Sequence, residues 1–253
     1  MAKPRPRGTR ESFKTAAVVP AAGAGNRFGA AAAENSKQFQ KLGGLPLLVH
    51  VLRALERSSV QAVYVAAPPG QVGWVRREMV RAYGIRKVRA VVTGGASRGD
   101  SVRRCVERVP AGFDVILVHD GGRPLVTPGL IDDVAAAAFA HGAALAAVPE
   151  TDTVKSVRGR KGGGWVRRTV RRDSLWRAQT PQAFRAETFR DALRRAAETG
   201  FDGTDDASFV EEAGGRVWIV PGDLRNLKVT GPTDLLLAEA LLGAESSESP
   251  GRK

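Results

Sequence analysis

Between residues 16 and 149 two hydrophobic patterns take turns along the chain. Short runs rich in Ala, Val and Ile (AAVVPAA from 16, AVYVAAP from 62, VRAVVTGG from 88, DVILVHD from 114 and AALAAVP from 143) predict buried strands. Between them LLVHVLRALERS, WVRREMVRAYG, DSVRRCVERV and PGLIDDVAAAAFAHG carry apolar residues at helical spacing. The last of these has Pro128 at an early helical position and is broken by His141 and Gly142. Strand and helix alternate at least four times, which predicts an α/β fold: a Rossmann-like, mostly parallel sheet with helices on both faces. Ligands of such sheets sit beyond the carboxyl ends of the strands.

The pattern changes after Pro149. TDTVKSVRGRKGGGWVRRTV has two β-prone arms around a glycine-rich turn and no helical period, so a β-hairpin arm is expected to protrude over residues 150–172. An isolated hairpin is marginal in water, and a second subunit is the natural surface for it to pack on. Alternation resumes with a helix around ETFRDALRRAAETG, strands at VWIVPG and NLKVT, and a final helix PTDLLLAEALLG. The expected organisation is a basic disordered tail over 1–14, a single domain over 15–243 and a flexible tail over 244–253.

Composition narrows the classes. A chain of 253 residues with 43% hydrophobic content can bury a substantial core as one domain. No run approaches the roughly 18 to 20 apolar residues of a membrane span, and the N-terminal stretch lacks the apolar segment of a signal peptide. A single cysteine, Cys105, excludes an internal disulfide and suits a reducing cytoplasm. His50, His119 and His141 lie far apart with no metal-ligand spacing, so no metal-binding residues are assigned. The net charge of +13 favours acidic partners, and it is concentrated in the arm and the N-terminal tail.

Candidate chemistry begins in VVPAAGAGNRFGAAAAENSKQFQKLGG, residues 18–44. Its Gly23, Gly25 and Gly29 are spaced one residue longer than the dinucleotide fingerprint, and no P-loop pattern is present. By itself a glycine-rich turn after a strand is no more than a tight strand-to-helix connection. Arg27 and Lys37 change the picture. Glycines let backbone N–H groups approach phosphates, and two cations can neutralise charge on a transferring phosphoryl group. The loop is read as a triphosphate site.

PAAGAGNRFG followed by SKQF resembles the signature loop of nucleotidyltransferases that join a nucleoside triphosphate to a sugar phosphate. More narrowly, VVPAAGAGNR, KQF, GGASRGDSV, VHDGGRP, PETDTVK, RDSLWRAQTPQAF, TDDAS and NLKVT occur in this order. Together they resemble the 2-C-methyl-D-erythritol 4-phosphate cytidylyltransferase family of the non-mevalonate isoprenoid pathway. The resemblance implies transfer of CMP from CTP to methylerythritol phosphate, with Mg2+ carried mainly on the CTP phosphates. It implies that Arg27, Lys37 and Lys228 are catalytic. For the nucleotide it implies Pro20, Ala21, Ala22, Gly23, Gly25, Gly94, Gly95, Ser101, Asp120 and Gly121. For the acceptor it implies Asp120, Arg123, Thr153, Arg172, Thr180 and Lys228. Ser101 can alternatively cap a helix, and Asp120 a turn.

In this family the arm reaches a neighbouring subunit, so a homodimer through residues 150–172 is also implied. The chain departs from the family pattern at Ser36, Ala96, Gly121 and Gly122. Two other functions compete: cytidylyl transfer to ribitol 5-phosphate or another polyol phosphate, and nucleic-acid binding by the basic arm. The arm has only Trp165 and Trp176 for base stacking, so neither a nucleic-acid nor a membrane partner is expected.

Overall fold

A computed structural model describes residues 12–23, 37–160 and 163–247. Its frame is a sheet of seven strands: β1 (Thr15–Pro20), β4 (Ala62–Ala67), β5 (Val88–Thr93), β6 (Val115–Val118), β7 (Ala143–Pro149), β10 (Trp176–Arg185) and β11 (Trp218–Pro221). A short hairpin, β2 (Lys41–Leu42) and β3 (Leu45–Pro46), and the arm, β8 (Val154–Arg160) and β9 (Gly163–Val170), stand apart from it. The sheet order is β11-β7-β10-β6-β1-β4-β5, and β10 alone runs antiparallel to its neighbours. The parallel expectation thus holds, with one reversed strand inserted.

Side-chain alternation sorts the core into two layers. Ala17 and Val19 of β1 face a cluster with Leu48, Leu52 and Ile131, whereas Ala16 and Val18 face Cys105, Phe184 and Phe189. Helices α1 (Leu47–Arg57), α2 (Val72–Trp74) and α4 (Pro128–His141) contribute to the first layer. The second is built by α3 (Arg98–Val106), α5 (Ala186–Thr199) and α6 (Ala207–Glu212). α2 continues in π-type turns over Val75–Arg81, which still bury Val75, Met79 and Val80. In α4 the Thr127 hydroxyl accepts from Leu130 N at 3.2 Å, Pro128 opens the helix, and Gly142 ends it at φ +94°.

Several expectations move. NLKVT is not a strand: after a turn at 224–226 it runs as a loop, tied by Val229 N to Gly122 O at 2.8 Å. Val229 fills a small core with Leu42, Leu47 and Ala238, and that burial explains its apolar look. The final helix α7 (Pro232–Ser247) continues four residues past the expected boundary. At the other end Phe13 stacks on Phe139 at 4.6 Å and Lys14 N donates to Asp114 at 2.8 Å, so ordered packing begins before residue 15. The arm emerges as expected, a two-stranded sheet with Val157, Trp165 and Val166 exposed. Among the described residues no helix is long and apolar enough to cross a membrane.

Phe184 of β10 stacks on Phe189 of α5 at 4.3 Å, and both are fully buried. Phe189→Ala is expected to destabilise the fold by about 3–5 kcal/mol. Urea unfolding followed by circular dichroism measures this; a loss under about 1 kcal/mol would show that the stack is not an anchor of α5.

Candidate active site

The order of the sheet places the site. From β1 the chain builds outward to β4 and β5 on one side, then returns to β6 on the other, which makes the gap between β1 and β6 a switch point. A cleft of about 360 Å³ opens there, at the carboxyl ends of β1, β5 and β6. Its wall carries Pro20, Ala22 and Gly23 after β1, Gly95 to Arg98 and Ser101 after β5, and Asp120 to Gly122 after β6. Gln38 and Lys228 complete the lining.

The wall after β5 is shaped by one hydroxyl. Ser101 Oγ accepts from Gly95 N and donates to Ser97 O, both at 3.0 Å. Ser101 is therefore not the helix cap; Ser97 is, in a capping box with Asp100. Gly94 lies so close to β1's end that an added Cβ would fall 2.2 Å from Ala22 Cβ. Only glycine fits there without moving the wall.

Asp120 is the carboxylate of the cleft, 6% exposed. Its Oδ1 receives Arg98 Nε at 3.1 Å and its Oδ2 receives Lys228 Nζ at 2.8 Å. Arg123 Nε stands 3.8 Å from Oδ2. Burial alone would raise the Asp120 carboxyl; the charges of Arg98, Lys228 and Arg123 outweigh it and hold the group well below the usual carboxylate range. Arg123 donates to Asn226 O at 2.7 Å, while its buried Nε has no hydrogen-bond partner among the described residues.

Behind Asp120 lies a neutral relay. Asp120 N donates to Thr180 Oγ1 at 3.0 Å, and that hydroxyl is 3.2 Å from His119 Nδ1. His119 Nε2 is 3.2 Å from Arg123 O, a carbonyl that can only accept, so the network assigns the proton to Nε2 and leaves Nδ1 to accept from Thr180. Thr180 is thus buried beneath Asp120, its hydroxyl committed on both sides, and is not on the cleft wall where acceptor contact was expected.

The remaining expected residues are distributed unevenly. Ala21 is fully buried behind the wall, its N donating to Ala66 O at 2.9 Å. Gly25 and Arg27 lie outside the described residues, and Lys37 is described through its backbone, which opens a 3-10 turn, Lys37–Phe39. Thr153 and Arg172 sit exposed at the base of the arm, with Arg172 donating to Thr151 O, and neither lines the cleft of its own chain. Sequence reasoning passed over Arg98, Asp206 and Gln38, although all three fall inside quoted motifs.

Fold and cleft define an α/β nucleotidyltransferase: a glycine-walled cleft at the carboxyl edge of a parallel sheet, with a cationic floor. The family model described as IspD, 2-C-methyl-D-erythritol 4-phosphate cytidylyltransferase, matches residues 15–244, and the chain belongs to that family. The chain is 47% identical to the enzyme of that name from Pelotomaculum thermopropionicum, covering 91% of this chain and 95% of the relative. It is 44% identical to that from Syntrophotalea carbinolica, with coverages of 89% and 94%. The crystal structure of the cytidylyltransferase from Thermus thermophilus aligns with a TM-score of 0.74 at 34% identity, covering 90% of this chain and 98% of that one.

Burial pushes His119 down to about 4. Above the unfolded value of about 6.5 both states are deprotonated and the contribution of this group is fully present. As pH falls from there through 4, only the unfolded chain binds the proton, so stability falls by up to about 3 kcal/mol. Urea unfolding at pH 7.5 and 5.0 should show this loss, and His119→Gln should show a smaller one. Equal losses in both proteins would rule out His119 as the source.

Proposed function

We infer that the chain transfers CMP from CTP to 2-C-methyl-D-erythritol 4-phosphate, giving 4-diphosphocytidyl-2-C-methyl-D-erythritol and pyrophosphate. The observation that carries this reading is the family match over residues 15–244, in a chain whose cleft is floored by cations. An oxygen of the acceptor phosphate bonds to the α-phosphorus of CTP. The bond from that phosphorus to the bridging oxygen breaks, and the electron pair leaves with pyrophosphate. The attacking oxygen is already anionic near neutral pH, so neither a side-chain nucleophile nor a general base is required. The protein's work is positioning and charge stabilisation.

The residue roles are assigned from the family pattern and from the chemistry of phosphate recognition. Arg27 and Lys37 are assigned to the CTP phosphates. Lys228, with one donor on Asp120 at 2.8 Å, keeps two donors for phosphate oxygens. Pro20 to Gly23, Gly25, Gly94, Gly95 and Ser101 form the base-binding wall, supported by the close approach of Gly94 to Ala22. Asp120 and Gly121 are assigned to the nucleotide and acceptor, and Arg123, whose guanidinium stands beside Asp120, to a phosphate. Thr180 serves by fixing the backbone of Asp120.

Magnesium would enter on the triphosphate, whose oxygens and waters fill its shell, and would neutralise phosphate charge. Both Asp120 oxygens face cations, which suits a metal carried by the phosphates and not by this carboxylate. The arm is assigned to a second copy of the chain, where Thr153 and Arg172 would reach the partner's acceptor. The exposure of Trp165, 87%, and of Val157 and Val166 supports that assignment. The cytoplasm is the assigned compartment; it suits Cys105, whose buried thiol is pushed up to about 12 and kept inert.

Pyrophosphate release should require CTP and methylerythritol 4-phosphate together. Release with ribitol 5-phosphate instead would move the acceptor assignment and keep the chemistry; release with ATP, GTP or UTP at equal rate would refute the base-binding wall.

Arg27→Ala and Lys37→Ala should each lower kcat by about 10²- to 10³-fold. Arg172→Ala should mainly raise KM for the acceptor. Steady-state kinetics separates these outcomes, and near-normal turnover of Arg27→Ala would overturn its role.

A further inference from the structure

Arg98 opens α3 and joins two carboxylates that sequence places far apart. Through its outer edge it grips Asp206, with Nη1 to Oδ1 at 2.9 Å and Nη2 to Oδ2 at 2.6 Å. Its inner edge meets Asp120 Oδ1, Nε at 3.1 Å and Nη2 at 3.0 Å. Asp206 is fully buried at the start of α6, whose next residue, Ala207, donates its N to Gln182 Oε1 of β10 at 2.8 Å. The guanidinium is thus held from behind by a rigid, buried anchor and presents its remaining edge to the cleft. Lysine could not do this, because a single ammonium lacks the planar fork.

We propose that Arg98 is a positioning residue for the transfer: braced by Asp206, it fixes the orientation of Asp120, and Asp120 in turn sets Lys228 for the phosphates. The proposal rests on the cytidylyl-transfer reading for the role of Lys228, and on geometry alone for the Asp206–Arg98–Asp120 chain. With Arg98 on one Asp120 oxygen and Lys228 on the other, the carboxylate is fixed about its own axis. Without Arg98 the carboxylate is free to turn, and Lys228 turns with it. A misplacement of about 1 Å in such a group can cost about 10²-fold in rate.

The groups that face Asp120 are Arg98 of α3, Arg123 and the neutral His119 flanking it on the β6 loop, Lys228 after β11, and Asp206 of α6. Three cations face two carboxylates. Losing Arg98, which touches Asp120, outweighs losing the Asp206 charge behind it, so removing the pair raises the Asp120 pKa, and activity that needs the ionised carboxylate is lost at a higher pH as acid is added.

Arg98→Ala alone would strand Asp206 as a buried, unpaired charge and confound folding with function. The informative protein is therefore the double variant Arg98→Met, Asp206→Asn, which removes the ion pair as a unit. Its thermal unfolding, its kcat and KM for CTP, the pH profile of kcat, and the ¹³C-carboxyl titration of Asp120 are compared with wild type. The expected result is a folded protein whose kcat falls by about tenfold or more, with KM for CTP little changed and the acid limb moved up. A folded variant with wild-type kcat and an unmoved limb would overturn the proposal and leave Arg98 a purely structural residue.

Should the double variant not fold, Arg98→Lys, which keeps the charge and loses the fork, carries the same test: a kcat near wild type overturns the proposal. Absence of pyrophosphate release by the wild type would refute the functional reading instead. The ¹³C titration would still decide whether Arg98 governs Asp120.

Discussion

The ionised carboxylate of Asp120, nearly closed off from water and faced by Arg98, Lys228 and Arg123, is the constraint on which the site depends. These charges arrive from the carboxyl end of β6, the start of α3 and the loop after β11, so the three segments must meet at one point. Buried ion pairs rarely stabilise a fold beyond what apolar residues would contribute, and breaking one costs several kcal/mol. Their concentration here is better explained by the work of the cleft. A preset group of cations needs no reorganisation as phosphates arrive and negative charge builds.

The main frame follows from elementary patterning. Strands apolar on both faces need helices on both sides, and the two buried layers divide the residues of β1 by parity, as strand geometry demands. The reversed strand β10 was hidden because Pro181 and buried polar residues interrupt its pattern; Pro181 falls where the pairing with β7 slips between Ala178 and Gln182. NLKVT misled in the opposite direction, since Val229 is apolar for a local core rather than for a sheet.

Of the residues that the sequence motifs pointed to, Gly23, Gly95, Asp120 and Lys228 line one cleft. Arg98 and Asp206 stand 108 positions apart, and no local spacing connects them; the start of α6, tied to Gln182 of β10 by Ala207 N, brings the carboxylate under the guanidinium. Thr180 shows the converse. The family resemblance implied contact with the acceptor, but a strand neighbouring β6 turns its hydroxyl toward His119 and the backbone of Asp120. Thr153 and Arg172 stand at the base of the arm and do not line the cleft of their own chain.

A site of this kind supplies cations and shape, and leaves the nucleophile to the acceptor's own phosphate. That division of labour is tested most directly by following oxygen. Methylerythritol 4-phosphate carrying ¹⁸O in its three terminal phosphate oxygens is converted with unlabelled CTP, and both products are weighed by mass spectrometry. On this division of labour all of the label stays in the CDP-linked product and the pyrophosphate is unlabelled. A product missing one labelled oxygen, or labelled pyrophosphate, would contradict it.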